Sequence, residues 1–138
     1  MNLEIKKISP QETLWIRHKA MWPNKPLAYV QLPYDAIGRH FGLYFEEELI
    51  AVISIFCEEK EVQFRKFATL EEYQGKGYGS KLLNFIIELA EQEGYHKIWC
   101  NARISKTKFY NKFGLKETDK HFEKGGIAYV VMEKISIQ

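Results

Sequence analysis

The sequence predicts an α+β fold: a central mixed, mostly antiparallel sheet with helices on both faces, in the order β-α-α-β-β-β-α-β-α-β-β. Three observations carry this. The apolar period switches once, from 2 over Val62–Leu70 to 3.6 over Gly77–Glu93. Before the switch, charged turns separate apolar runs, as antiparallel hairpins require. Across it, a strand, a long helix and another strand follow in order, which makes a right-handed crossover between parallel strands. The 138 residues read as a single domain, 1–138, of ordinary size.

The elements follow in chain order. Leu3, Ile5 and Ile8 suggest a first strand. Ser9-Pro10 starts a helix, with proline in the first turn, Glu12 close behind and Pro23 ending it. Leu14, Ile16, Met21 and Trp22 would form its apolar face, and Leu27–Leu32 a second short helix. All four prolines fall by Pro33, so this quarter should be the irregular one, and Pro33 to Gly38 reads as loop. His40–Phe45 and Leu49–Cys57 form a hairpin around an acidic turn, the second run apolar enough for a strand buried on both faces. Val62–Leu70 extends the meander after the charged turn at Glu58–Lys60. Leu82, Leu83, Ile86, Ile87, Leu89 and Ala90 give the strongest helix, closed by Gly94. His96–Cys100 is a short strand, Ser105–Lys112 helical, and Ile127–Ile135 a last strand.

Composition excludes several classes. Lys and Arg number 20 against 18 Asp and Glu, a net +2, without the basic excess of a dedicated nucleic-acid binder. Cys57 and Cys100 sit in apolar runs, no C-x-x-C occurs, and four histidines are scattered, so no metal site is expected. The cysteines read as buried free thiols in a reducing compartment. The N-terminus has no apolar signal core, and no apolar stretch is long enough to span a bilayer. A soluble, cytoplasmic protein with no membrane partner is the expectation.

Gln74-Gly75-Lys76-Gly77-Tyr78-Gly79-Ser80 lies between a strand and the strongest helix. Glycines there let backbone N–H groups converge on an anion at a helix N-terminus. A Walker A loop fails, because Gly77 follows Lys76 where Ser or Thr is needed and Leu70 replaces the first glycine. A dinucleotide fingerprint fails at Ser80, the third glycine position, and no acid-ended strand follows at the right distance. The pattern that fits is [QR]-x-x-G-x-G, as Gln74, Gly77 and Gly79.

That motif resembles the acyl-CoA loop of the GNAT N-acetyltransferase superfamily. Phe109-Tyr110-Asn111-Lys112-Phe113-Gly114-Leu115 matches the family's F-Y-x-K-x-G-F ending, with Leu115 for the last Phe. Ala102-Arg103 lies seven residues before Phe109, as in an A-R-x-x-A-x-x-F-Y variant, with Lys106 for the second Ala. Gly126–Glu133 is similar to a G-I-x-H-x-x-M strand, with Tyr129 for His. The resemblance spans nearly the whole chain and is strongest from Val62 to Leu115.

It implies an acetyl-CoA-dependent N-acyltransferase acting on a small-molecule or peptide amine by direct attack in a ternary complex. The N–H groups of Gly75, Lys76, Gly77, Tyr78, Gly79 and Ser80, with Gln74 at the first motif position, would bind the coenzyme pyrophosphate. Family spacing puts the pantetheine contacts at Phe67, Ala68 and Thr69, beside a bulge, where backbone N–H groups can polarise the thioester carbonyl. Tyr110 matches the general acid, and Asn101 is a further coenzyme candidate, although its spacing to Tyr110 is longer than usual. The base is not visible; Glu58, Glu59, Glu61 or an ordered water are open, with His40 and His96 more readily structural. Lys106, Lys108 and Lys112 could meet the 3′-phosphate, although a solvated helix face explains them as well. Trp15, Trp22, Tyr29, Tyr34, Asp35 and Arg39 are candidates for the acceptor pocket, Asp35 as a carboxylate for the amine. The rival expectation is an acyl-CoA-binding module without turnover. Oligomerisation is common in the family, so a homodimer is possible, and nothing in the sequence decides the matter.

Overall fold

The computed structural model describes residues 2–135. Seven strands form a mixed sheet with three helices: β1 (Leu3–Ile8), α1 (Pro10–Met21), β2 (Arg39–Phe45), β3 (Glu48–Glu58), β4 (Glu61–Thr69), α2 (Tyr78–Gln92), β5 (Lys97–Arg103), α3 (Thr107–Asn111), β6 (Lys116–Lys124) and β7 (Ile127–Ile135). The contacts divide the chain into two compact units. One runs to Phe56 and takes in Arg65–Ile86; the other is Cys57–Phe64 with the residues from Ile87 on.

In the first unit, β1 pairs antiparallel with β2 and β2 with β3. The β2–β3 hairpin turns on Glu46 and Glu47, both in the left-handed region at φ 51° and 74°. That geometry matches the twist of the flanking strands. Ile50 to Ile55 of β3 are all buried, as a strand covered on both faces requires. Alternation along the strands divides the cover. Ile8, Val52, Ala68 and Leu70 pack with Ile16 of α1. Phe41, one residue on from buried His40, instead meets Phe85 of α2 at 5.6 Å. Helices therefore lie on both faces of this part of the sheet.

α1 begins at a capping box: the Glu12 N–H donates to Ser9 Oγ, and the Ser9 N–H donates to Glu12 Oε1. Of the expected apolar face, Ile16 is fully buried and Leu14, Met21 and Trp22 are half-buried; Thr13 and Arg17 are buried beside them, and Trp15 stays half exposed. The expected second helix is a single 3-10 turn, Leu27–Val30, and the expected loop holds another, Asp35–Ile37. Pro26 and Pro33 frame a segment too short for helical hydrogen bonding to propagate.

In the second unit, the first residues of β4 pair parallel with β5, Glu61–Gln63 against Lys97–Trp99. Among the described residues that ladder goes no further. β5 pairs antiparallel with β7 along its whole length, and β7 with β6. β5 runs on to Arg103, past the expected end at Cys100, because Val130 and Tyr129 continue to supply ladder partners. β6 is almost wholly exposed, which explains why its charged sequence carries no apolar strand signal. Cys100 is buried as expected, whereas Cys57 is exposed. The apolar run of β3 outlasts its cover: Cys57 and Glu58 lead into the turn, where neither face is packed.

Candidate functional site

The glycine loop belongs to the first unit. Leu70, fully buried, follows β4 and donates its N–H to the Ile50 carbonyl at 2.9 Å. After the 3-10 turn Glu71–Tyr73, Gln74 reaches back and donates from Nε2 to the Thr69 carbonyl at 2.8 Å. Gly75 and Gly77 take φ of 76° and 85°, where a side chain would be strained. The space beside both is open, so these glycines serve backbone conformation. The Gly77 carbonyl accepts the Lys81 N–H, so the N–H groups of Tyr78, Gly79 and Ser80 open α2 with no acceptor inside the helix.

Gly79 is there for a different reason. A Cβ on it would stand 3.3 Å from the Phe67 ring and from Thr69 Oγ1. A side chain at that position would make the Phe67 ring or the Thr69 hydroxyl give way by a few tenths of an ångström for the helix to start this close to β4. Within β4, Lys66 has φ 54°, an irregularity between Arg65 and Phe67 that interrupts the alternation. Phe67, Thr69 and Gln74 through Ser80 are thus brought together, while Ala68 turns its side chain into the core beside Ile16. Lys76 is exposed on the loop. Unbonded N–H groups, the positive end of a helix dipole and one cation make a cradle for a phosphate-like anion. Beside it, Tyr78 packs against Phe45 at 5.7 Å and Tyr73 at 6.1 Å, and the Tyr73 hydroxyl donates to Glu48 Oε1.

Among the expected acceptor residues, Asp35 is committed inside the fold. Asp35 is buried and receives Arg17 through both oxygens, at 2.8 and 3.0 Å, with the Leu32 N–H on Oδ2. Burial alone would raise its carboxyl; the Arg17 and Leu32 hydrogen bonds and the nearby positive charge outweigh that and hold it below the ordinary carboxylate range. Asp35 therefore has its charge matched inside the fold and is not free to receive an amine. Arg17 also donates to Ser54 Oγ and the Val30 carbonyl, and His40 bridges Ser54 Oγ and the Asp35 carbonyl. Sequence reasoning missed Arg17, because an arginine one residue after Ile16 on a helix reads as surface. Trp22 and Tyr29 meet edge to face at 5.2 Å, and Tyr34 meets Phe56 the same way at 5.0 Å.

Tyr110 belongs to the second unit, on α3. Its ring lies 5.7 Å from Phe64 and 5.2 Å from Phe109. Burial, reinforced by Cys100, pushes its hydroxyl well above the ordinary tyrosine value, with Arg103 pulling the other way. It stays protonated through any working pH. The Cys100 thiol is itself pushed up to about 12 by burial. Asn101 is exposed, on the face of β5 alternate to buried Cys100 and Ala102. The structure therefore does not bring its side chain to the Cys100 face, where Tyr110 lies. Glu58, Glu59 and Glu61 are exposed around the tight β3–β4 turn, with Glu59 at φ 52°. Lys106, Lys108 and Lys112 are exposed, and so is His96. Among the described residues, no group of three or more Cys, His, Asp or Glu side chains could hold a metal, and no helix is long and apolar enough to cross a membrane.

Comparison with known proteins gives this geometry its context. The family model for the acetyltransferase (GNAT) domain matches residues 12–136. An uncharacterised N-acetyltransferase of Bacillus subtilis, YitI, is 32% identical, over 96% of this chain and 95% of its own. Among solved structures, a Lactobacillus plantarum protein classed with the N-acetyltransferases superposes with a TM-score of 0.86, at 19% identity and 99% of each chain. A GNAT family acetyltransferase from Elizabethkingia anophelis with acetyl-CoA bound gives 0.74, at 20% identity, covering 97% of this chain and 98% of that one. The two solved structures support the fold, and the matched family model and the Bacillus relative establish kinship: the chain belongs to the GNAT acetyltransferase family and is an acyltransferase.

Proposed function

We propose that the protein transfers the acetyl group of acetyl-CoA to a primary amine by direct attack. The observation that carries this is the loop at Gln74–Ser80, where left-handed Gly75 and Gly77 and the close approach at Gly79 aim free N–H groups outward at the start of α2. The relative with acetyl-CoA bound supports the choice of donor. In this reading Gln74, Gly75, Lys76, Gly77, Tyr78, Gly79 and Ser80 hold the pyrophosphate. Phe67, Ala68 and Thr69 hold the pantetheine arm through main-chain groups, and Asn101 is a further contact.

The amine lone pair attacks the thioester carbonyl carbon, a C–N bond forms and the C–S bond breaks. The proton lost from nitrogen passes to solvent or a nearby base. The departing sulfur takes a proton from the Tyr110 hydroxyl, which regains one from solvent. A phenol held protonated by burial can present that hydrogen throughout the working range. No acyl-cysteine takes part.

A panel of primary amines with acetyl-CoA, read by released CoA thiol, tests the reading, and turnover on at least one amine is expected. Tyr110→Phe should lower kcat by about 10²-fold or more, the usual worth of a positioned acid. It should leave the acetyl-CoA dissociation constant near the wild-type value. An unchanged kcat would remove Tyr110 from the acid role.

A further inference from the structure

Arg65 lies on β4, in the first unit, two positions before Phe67. It is half-buried, and its guanidinium carbon stands 5.7 Å over the ring of Tyr34. Tyr34 is itself partly exposed and is held edge-on against Phe56. The acid next to Tyr34 in sequence is Asp35. Both of its oxygens are taken by fully buried Arg17, and one also by the Leu32 N–H. Among the described residues no carboxylate forms an ion pair with Arg65. Its neighbour is instead a second cation: burial first, and then the Arg17 charge, disfavour the charged form of Arg65.

An arginine cannot relieve this by losing its proton. A Met or Leu would fill the same space without the cost of an unmatched, half-desolvated charge. The planar fork is suited to a carboxylate, which it binds through two parallel hydrogen bonds. Tyr34 and Phe56 offer an apolar surface beside it. At about 3.3 Å per strand residue, Arg65 stands some two residues, roughly 7 Å, from the main-chain groups assigned to the thioester.

We propose that Arg65 binds the carboxylate of the acceptor, so that the substrate is a small amino acid: an amine to be acetylated at one end and a carboxylate anchored at the other. This rests on the acetyltransferase reading. It sets neutral amines, polyamines and amino sugars outside the preferred class.

Two measurements on the full-length protein separate this inference from its premise. In the first, amino acids and their α-carboxamides are compared as acceptors. The acids should be favoured in kcat/KM, and Arg65→Met should raise KM for the acids by about tenfold or more, the worth of a lost charge-assisted pair, while sparing the amides. Arg65→Lys should fall between. In the second, N-acetyl amino acids and their carboxamides are titrated by calorimetry in the presence of CoA. Binding that needs the carboxylate and disappears in Arg65→Met supports the site, with no turnover required. Equal binding of acid and amide, no binding of either, or an Arg65→Met variant that keeps the preference overturns it. Carboxylate-dependent binding without turnover would defeat the transferase reading and keep the anion site. Turnover without carboxylate preference would do the reverse. Arg65→Met should melt no lower than wild type, since it removes an unmatched charge; a merely structural arginine would melt lower when replaced.

Discussion

Cys57 and Cys100 carry the same thiol in opposite settings. Cys100 is buried on β5 between Trp99 and Asn101, and burial pushes its thiol up to about 12. Cys57 is exposed at the end of β3. Reactivity follows the thiolate and its access. Iodoacetamide at pH 8 should therefore modify Cys57 alone in the native protein and both cysteines in denaturant, read by peptide mass. Activity should survive, because direct transfer uses neither thiol. Loss of activity on Cys57 alkylation, or an acetyl group trapped on a cysteine by acetyl-CoA alone, would contradict direct transfer. The same contrast shows what residue-level reading can miss. Both cysteines follow Ile-containing apolar runs, yet only three-dimensional cover decides which is buried.

At the scale of elements, the turn into α2 joins local geometry to binding. Gly77 sits at φ 85° with open space around it and its carbonyl capping the Lys81 N–H. Gly77→Glu would place a β-carbon in a strained conformation and a carboxylate among the N–H groups assigned to the pyrophosphate. Titration calorimetry with CoA should show affinity lowered by about 100-fold or more, because an anion then faces an anion where a dipole favoured one. An unimpaired dissociation constant would move the coenzyme elsewhere. This element was legible in the sequence because glycine is the residue whose backbone freedom shows as a letter, and because the period switch marks where α2 begins. The start of α1 at Ser9-Pro10 with Glu12 close behind was legible for a similar reason, since its signals lie within three residues. What was not legible depends on distant contacts. Arg17 meets Asp35, Ser54 and the Val30 carbonyl across gaps no local pattern records. Asp35 consequently looked like a ligand for an amine when it is the counter-ion of a buried arginine. β6 had a place in the expected order but no residues assigned to it, because an exposed edge strand needs no apolar period.

At the scale of the whole molecule, the near-balance of 20 basic and 18 acidic side chains hides an uneven use of charge. One ion pair, Arg17 with Asp35, is sealed into the first unit, and the pH dependence of stability should show it. Asp35 is depressed in the folded protein, against an unfolded carboxyl near 3.9. A depressed group contributes stability above its unfolded value and loses it as pH falls through the folded one. The melting temperature should thus hold from neutrality to about pH 5 and fall below it, as protonation leaves Arg17 buried without a partner. Asp35→Asn should lower stability at pH 7 by about 3–5 kcal/mol, the range for breaking one side of a buried pair. The deficit should narrow as pH drops towards about 2, because the wild type then loses the same charge. Calorimetric melts of the two proteins across this window decide it. Parallel curves would mean that the pair does not control acid stability, and convergence would place the titration on Asp35 itself.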